Sequence, residues 1–319
     1  MKSKNSKRLS SYNINIKIKI INKSLKLSKK QIKAVLDNCI LFDISLIILI
    51  YIYYFAFYNY ICYFNIGQGN MALIHYKNKN VIIDCGSTDN NVAANVMSSY
   101  MKSMAYNKID AIFITHFHAD HVNGIEKLSE KYDINKLCYM IPKFDNVSEY
   151  DKFQKNIVQR NISVCEINQY DSMEFGKDFK IDVILPSDNI VIPDSDLMNA
   201  NSCIYLIQIK NKNYLFMGDA TKSTEKSLVD LLNNKKNNSC ISDKLIKKLK
   251  DIEVLQVGHH GSKTSTSEEF LKNINIKFGI ISSKKEKYGH PDQVTLDVLK
   301  KYNIKTKVTE INGAITVKI

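Results

Sequence analysis

Three of the seven histidines in this 319-residue chain lie within six residues of one another, in Thr115-His116-Phe117-His118-Ala119-Asp120-His121. They follow directly on the apolar, β-branched run Ala111 to Ile114. A lone histidine is usually a satisfied polar residue. Three of them with an aspartate at the end of a strand call for a shared partner. Alternate residues of an extended segment share a face, so His116 and His118 project to the same side. Asp120 and His121 are adjacent at the turn into a helix, point differently, and can serve a second ion. Imidazole and carboxylate ligands in this mix suit zinc first, with manganese or iron as alternatives. The fold must then bring further ligands from distant segments to this strand end.

Three segments offer them. Phe216-Met217-Gly218-Asp219-Ala220 is an apolar strand ending in Gly-Asp, and the two oxygens of Asp219 can bridge two ions. Read alone, Gly-Asp-Ala-Thr is equally a helix-capping sequence. Val257-Gly258-His259-His260-Gly261-Ser262 puts paired histidines at another strand end. Tyr288-Gly289-His290-Pro291 is the weakest of the three. Ser262 lacks a Gly-x-Ser-x-Gly elbow and the chain has no Walker-type loop, so serine-nucleophile and P-loop chemistries find no support.

Taken in order, the motifs are Asn65-Ile66-Gly67-Gln68-Gly69, Ile83-Asp84-Cys85-Gly86, the histidine cluster, Asn201-Ser202, Gly218-Asp219, His259-His260-Gly261-Ser262 and Tyr288-Gly289-His290-Pro291. This order resembles the metallo-β-lactamase superfamily, and within it the hydrolase domain of the ComEC competence proteins, over about residues 60 to 319. The resemblance implies an α+β protein, an αββα four-layer sandwich with two divalent metal ions, zinc or else manganese, at the strand ends. It implies His116, His118 and Asp219 on the first ion. Asp120, His121, Asp219 and one of His259 or His260 would hold the second. The other histidine of that pair would contact substrate or fix its neighbour. The implied activity is that of a phosphodiesterase or nuclease in which metal-bound hydroxide attacks phosphorus. Asp120 would orient the nucleophile and take its proton. His260 or His290 would stabilise phosphoryl charge or assist the leaving group. Asn201, Ser202 and Ser262 are the candidate substrate contacts. The competing reading is hydrolysis of another ester or amide class: a phosphorylcholine ester, a lactone or a β-lactam.

Two departures stand out. Superfamily members usually supply a further histidine to the first metal before the Gly-Asp strand. Here that neighbourhood reads Met198-Asn199-Ala200-Asn201-Ser202, leaving water, Asn201 or His290 to complete the position. Asn70 stands where relatives usually carry aspartate.

The formal charge of +13 invites a nucleic-acid reading, but its location matters. Residues 1 to 38 hold ten lysines and Arg8 against Asp37 alone, leaving 34 basic and 31 acidic residues in the rest. The basic character therefore belongs to the N-terminus, and global charge says little about substrate. Lys263, Lys284, Lys285 and Lys287 lie in segments near the expected site and suit a nucleic acid or other phosphodiester, though an ordinary solvated loop looks the same.

The run Cys39 to Tyr58 is almost wholly apolar, with Asp43 its one charge, and about 20 such residues span a bilayer. Its tyrosines crowd toward the C-terminal end. The basic flank precedes it, so the positive-inside rule gives a single-pass cell-membrane protein with an extracytoplasmic hydrolase domain. The expected organisation is a mobile basic cytoplasmic tail at 1–38, a transmembrane helix at 39–58 and the hydrolase domain at 60–319. Seven cysteines without a CxxC pair read as free buried thiols, which pulls against an exported domain. No protein partner is indicated. Strands are expected near 61–66, 71–76, 81–84, 111–114, 137–140, 179–185, 203–209, 214–217, 254–257 and 278–282. Helices are expected near 91–105, 122–132, 150–159, 223–232, 267–273 and 293–302.

Overall fold

A computed structural model describes residues 18–20, 23–25, 28–145, 147–160, 162–187, 191–233 and 242–319. Cys240 and most of the basic N-terminal stretch lie outside the described residues. The chain divides into two units, Met1–Phe57 and Tyr58–Ile319.

In the first unit, Ile18–Ile20 pairs antiparallel with Lys23–Leu25, and a single helix runs over Lys29–Phe57. The helix starts ten residues before the apolar run. The cause is a capping box: Gln31 N–H donates to Ser28 Oγ (3.3 Å) while Ser28 N–H donates to Gln31 Oε1 (3.0 Å). Its stretch Lys29–Tyr53 is, by length and composition, long and apolar enough to cross a membrane.

In the second unit, central strands buried on both faces and more exposed edge strands build two seven-stranded sheets. The first has the order Val164–Glu166, Leu137–Tyr139, Ala111–Phe113, Lys79–Ser87, Gly69–Tyr76, Tyr60–Tyr63, Ile315–Lys318. The second has the order Ser172–Glu174, Phe179–Leu185, Ile204–Ile209, Lys212–Phe216, Asp251–Gln256, Asn275–Ile281, Lys305–Val308. The period of two decides which layer each residue enters. Ile61 and Tyr63 pack into the cluster shared by the two sheets, with Phe179, Tyr205 and Phe216 from the other sheet. Tyr60 and Cys62 face outward, under the helices Val92–Ser103, Ile125–Ser129 and Ser148–Val158. The second sheet is covered on its outer face by Lys222–Asn233, Asp243–Leu249, Glu268–Asn273 and Gln293–Lys301. The result is the expected helix–sheet–sheet–helix sandwich. Each fully buried Leu, Ile or Phe contributes about 1.5–3 kcal/mol. Three such apolar layers can carry a polar, strained site at one edge.

The expected helix over 122–132 is two short ones, Ala119–Val122 and Ile125–Ser129. Gly124 sits between them, its N–H donating to Cys85 O at 2.8 Å, and a Cβ there would lie 2.8 Å from that oxygen. Four strands of these two sheets were not expected: Val164–Glu166, Ser172–Glu174, Lys305–Val308 and Ile315–Lys318. They lie at sheet edges, where strands of three or four residues carry polar or charged side chains and give little apolar signal. No disulfide joins the described cysteines. Cys62, Cys85 and Cys138 are buried as expected, but Cys39 is exposed and Cys165 half-buried.

Ala111–Phe113 runs parallel to Lys79–Ser87, and Lys212–Phe216, Asp251–Gln256 and Asn275–Ile281 run parallel to one another. The carboxyl ends of these strands launch the segments that carry the histidines and Asp219. Cys203 N–H donates to Thr115 O (2.8 Å) and Tyr205 Oη to Ile114 O (2.5 Å), tying the two sheets together there.

Candidate metal centre

The histidine segment is held from beneath by Asp84. One oxygen of its buried carboxylate accepts from Thr115 N–H (2.8 Å). The other accepts from Thr115 Oγ1 (2.8 Å), Asn70 Nδ2 (2.9 Å) and His121 Nδ1 (2.8 Å). Asn70 therefore has a reason to differ from the usual aspartate: its amide donates where a second carboxylate would repel. Gly86 lets the chain pass close under the motif, since a Cβ there would lie 2.4 Å from His121 N. Gly218, at φ +53°, plays the same part on the other side, with Thr115 Cβ 2.7 Å from where its own Cβ would be.

Asp219 lies at the centre. Its Oδ1 is 3.1 Å from His121 Nε2 and 3.4 Å from His260 Nε2. Its Oδ2 is 3.9 Å from both His116 Nε2 and His259 Nε2. Asp120 Oδ2 is 3.4 Å from His260 Nε2. Asp120 is the second residue of the short helix Ala119–Val122, with His118 in the cap position. Two tight groups of potential ligand atoms result, His116–His121–Asp219 and Asp120–His121–His260. His118 stands beside His116, with ring centres 4.8 Å apart, and is partly exposed.

These residues fit divalent cations. His260 Nδ1 faces the carbonyl of Ser282 at 2.7 Å, so it must carry the hydrogen. His121 Nδ1 faces the Asp84 carboxylate and carries one too. With both rings neutral, the two Nε2 atoms present lone pairs 3.4 Å apart. Two lone pairs at that separation repel unless a cation lies between them. His116 Nε2 and Asp219 Oδ1 are buried with no hydrogen-bond partner among the described residues, a cost that a bound ion removes. Imidazoles fixed by a carboxylate or carbonyl on the far nitrogen are the usual arrangement around a metal.

The same crowding governs the charges. Burial, and then the neighbouring His121, hold His116 well below the ordinary histidine range. Burial also acts to lower His260, but Asp219 and Asp120 outweigh it and push it up to about 10. Burial alone would raise Asp219, yet His260 and His121 hold it well below the usual carboxylate range. A site that draws protons onto histidines beside ionised carboxylates is one that attracts positive charge.

His259 and His260 sit at φ +48° and +53°, a left-handed conformation that costs a non-glycine residue roughly 1–2 kcal/mol each. The loop after them is pinned by Glu225, buried on the helix Lys222–Asn233, whose carboxylate accepts from Thr266 N–H (2.5 Å) and Ser267 N–H (2.7 Å). Ser267 caps the next helix by accepting from Phe270 N–H. Burial pushes Glu225 from its ordinary 4.5 up to about 7, although the Ser267 and Thr266 N–H groups favour its ionised form. A carboxyl raised on folding is most stabilising while protonated in both states. Stability is therefore expected to fall as pH rises from about 4.5 through 7, by on the order of 3 kcal/mol. Urea unfolding of wild type and Glu225→Gln at pH 5 and pH 8 checks this: the difference between the two proteins should shift toward the variant at pH 8. An equal difference at both pH values contradicts it.

The other expected site residues fall elsewhere. Asn201 is spent on its own loop: its Oδ1 accepts from Ile192 N–H (2.8 Å), and its Nδ2 donates to Ile192 O (3.0 Å) and Leu197 O (2.9 Å). Ser202 Oγ accepts from Asp219 N–H (3.3 Å) and so steadies the central carboxylate. Ser262 Oγ accepts from Thr264 N–H and Thr264 Oγ1. All three side chains are thus engaged in the scaffold. His290 stands beside His259, ring centres 5.8 Å apart, outside both ligand groups. Sequence reasoning missed Asn199, whose Nδ2 lies 3.4 Å from His259 Nε2, and Glu225. Asp84 was visible inside its motif without a role. Nothing local marks Glu225, because its partners lie 41 and 42 residues away.

Residues 63–244, more than half of the chain, match the family described as anti-Pycsar protein Apyc1. The chain belongs to the Apyc1 family. This Apyc1-family chain is also similar to ComE operon protein 3 of Bacillus subtilis, 26% identical over 79% of this chain and 32% of that protein. It is 25% identical to recombination protein 2 of Haemophilus influenzae, over 79% of this chain and 28% of that one. The chain thus spans about a third of the length of the curated relatives it matches. Among solved structures it resembles the metallo-β-lactamase fold protein YhfI of Bacillus subtilis, with a TM-score of 0.51 at 11% identity, covering 82% of this chain and all of that one. It also resembles CmlA, a diiron β-hydroxylase of Streptomyces venezuelae, with a TM-score of 0.52 at 12% identity, covering 82% and 54%. The fold is that of the metallo-β-lactamase superfamily, as the motif order implied. The paired ligand groups sharing His121 are candidates to hold two metal ions, the arrangement a metal-dependent hydrolase of this fold requires.

Proposed function

We propose that the chain is a membrane-tethered phosphodiesterase acting on nucleic acid or another phosphodiester, with zinc in both positions and manganese the alternative. The observation that carries the reading is the single carboxylate of Asp219 flanked by the Nε2 atoms of four imidazoles. Ions bound there supply Lewis-acid polarisation of a phosphoryl oxygen and lower the pKa of water from about 15.7 toward 7. Asp120 lies beside His260 with a carboxylate held ionised, burial opposing and His260 outweighing it, which supports a role in orienting a water and accepting its proton. His290 is kept neutral by burial and by the neighbouring His259, and stands at the rim where a phosphoryl oxygen or leaving group needs a hydrogen bond. Asn201, Ser202 and Ser262 act by shaping the walls.

Relatives named for competence and recombination, among them the competence protein ComA of Neisseria gonorrhoeae, support a nucleic-acid substrate and the ComEC-like reading. So do Lys263, Lys285 and Lys287, exposed near the site. The helix Lys29–Phe57 and the basic residues before it support a single pass with the hydrolase outside the cytoplasm. One observation favours the second reading, another ester or amide class. The pocket beside His116 is walled mostly by Met140, Ile141, Pro142, Phe144 and Met198, which suits an apolar group.

The test is the full chain in detergent, loaded with zinc or manganese, assayed on single-stranded DNA, a bis-aryl phosphodiester, a lactone and a β-lactam. Cleavage of the phosphodiesters is expected, lost in His118→Ala. Turnover of the lactone or β-lactam alone overturns the phosphodiesterase reading.

A further inference from the structure

The segment before the Gly-Asp strand contains no histidine, so the first metal position lacks a ligand that the superfamily usually supplies. The structure shows what stands there. Asn199 reaches the site, held by Asp196, which accepts from Asn199 N–H at 3.0 Å and from Nδ2 at 2.8 Å. Its Nδ2 is 3.4 Å from His259 Nε2, and its buried Oδ1 has no hydrogen-bond partner among the described residues. His259 Nδ1 faces Thr264 Oγ1 at 2.9 Å, and that hydroxyl spends its own hydrogen on Ser262 Oγ at 3.0 Å. Nδ1 therefore donates, and Nε2 is left as a lone pair. His260 is prepared in the same way by Ser282 O.

The Asp219 carboxylate sorts the two rings. Oδ1 faces His121 and His260, while Oδ2 is equally far, at 3.9 Å, from His116 and His259. Both histidines are held in left-handed backbone, a strain that a merely structural neighbour would be expected to shed by becoming glycine.

We propose that the paired histidines serve one ion each: His260 completes the position of Asp120 and His121, and His259, with Asn199 beside it, completes the position of His116 in place of the missing histidine. This rests on the binuclear reading above.

The test is metal content of the full chain by elemental analysis after loading with zinc or with cobalt, with the cobalt visible spectrum as a second readout. Glycine suits the backbone at 259 and 260, so His259→Gly and His260→Gly remove the rings without adding strain. Two ions are expected in the wild type, one in each single variant and none in the double variant, with different cobalt spectra for the two singles. If both histidines served one position, the double variant would keep one ion, which overturns the proposal. Two ions retained in His259→Gly with unchanged affinity also overturns it, while a wild type that takes up no ion sinks the binuclear reading itself. Should His259→Gly not fold, Thr264→Val, which unpins Nδ1, is expected to weaken one of the two ions by about 10- to 100-fold. No change in that variant counts against the proposal.

Discussion

Asp219→Ala is expected to empty both cation positions and to cut turnover of whichever ester proves to be the substrate by more than about a thousandfold, some 4 kcal/mol in the barrier. The reason is geometric. No other carboxylate among the described residues lies between two imidazole pairs, with one oxygen toward His121 and His260 and the other toward His116 and His259. Its removal leaves four imidazoles facing one another across the space it filled, and two ions close together lose the negative charge that offsets their repulsion. Asp219→Asn is the milder change, keeping the shape while losing the charge, and should behave nearly as badly. Elemental analysis and a substrate assay on the same preparation check both. A variant that still holds two ions would contradict the geometry, whatever its activity.

The second large effect is expected at Asp84, which belongs to neither ligand group. Asp84→Ala leaves Thr115 N–H, Asn70 Nδ2 and His121 Nδ1 buried without their shared acceptor. Each unsatisfied buried donor costs about 1–3 kcal/mol, so a loss of about 3–5 kcal/mol is expected. That is a large part of the 5–15 kcal/mol typical of a domain, and a thermal melt should show it. Asp84→Asn separates stability from ligation. It keeps an acceptor for Thr115 but can present an amide donor to His121 Nδ1. The imidazole then shifts its hydrogen to Nε2, the atom turned toward Asp219 and His260. Metal affinity is expected to fall about 10- to 100-fold in a protein that still folds. Metal titration by calorimetry decides it, and unchanged affinity would mean that Asp84 does not set the tautomer of His121.

The two predictions differ in what a reader of the chain could have known. Asp219 announced itself through Gly218-Asp219 at the end of an apolar strand. Asp84 appeared only as part of a recurring motif, because its work is done across 31 to 37 residues of chain. The same division runs through the molecule. Runs rich in β-branched and aromatic residues made the central strands visible, whereas the edge strands Ser172–Glu174 and Lys305–Val308 are short and mostly polar or charged. The helix start at Lys29 was legible in Ser28 and Gln31 and was overlooked because the apolar run drew the boundary at Cys39.

The sequence by itself determined the chemistry available: imidazoles and carboxylates at strand ends, with His116, His118, Asp120 and His121 close enough along the chain to gather at one strand end. Local spacing settles such relations, because backbone geometry within a strand or one helical turn leaves few choices. Only the tertiary structure decided which atoms meet. It put Asp219 between histidines about 40 and 100 residues distant, turned Asn199 rather than Asn201 toward the site, and gave Glu225 the loop that carries His259 and His260. Those outcomes depend on how two sheets and their covering helices pack, and packing is a property of the whole chain.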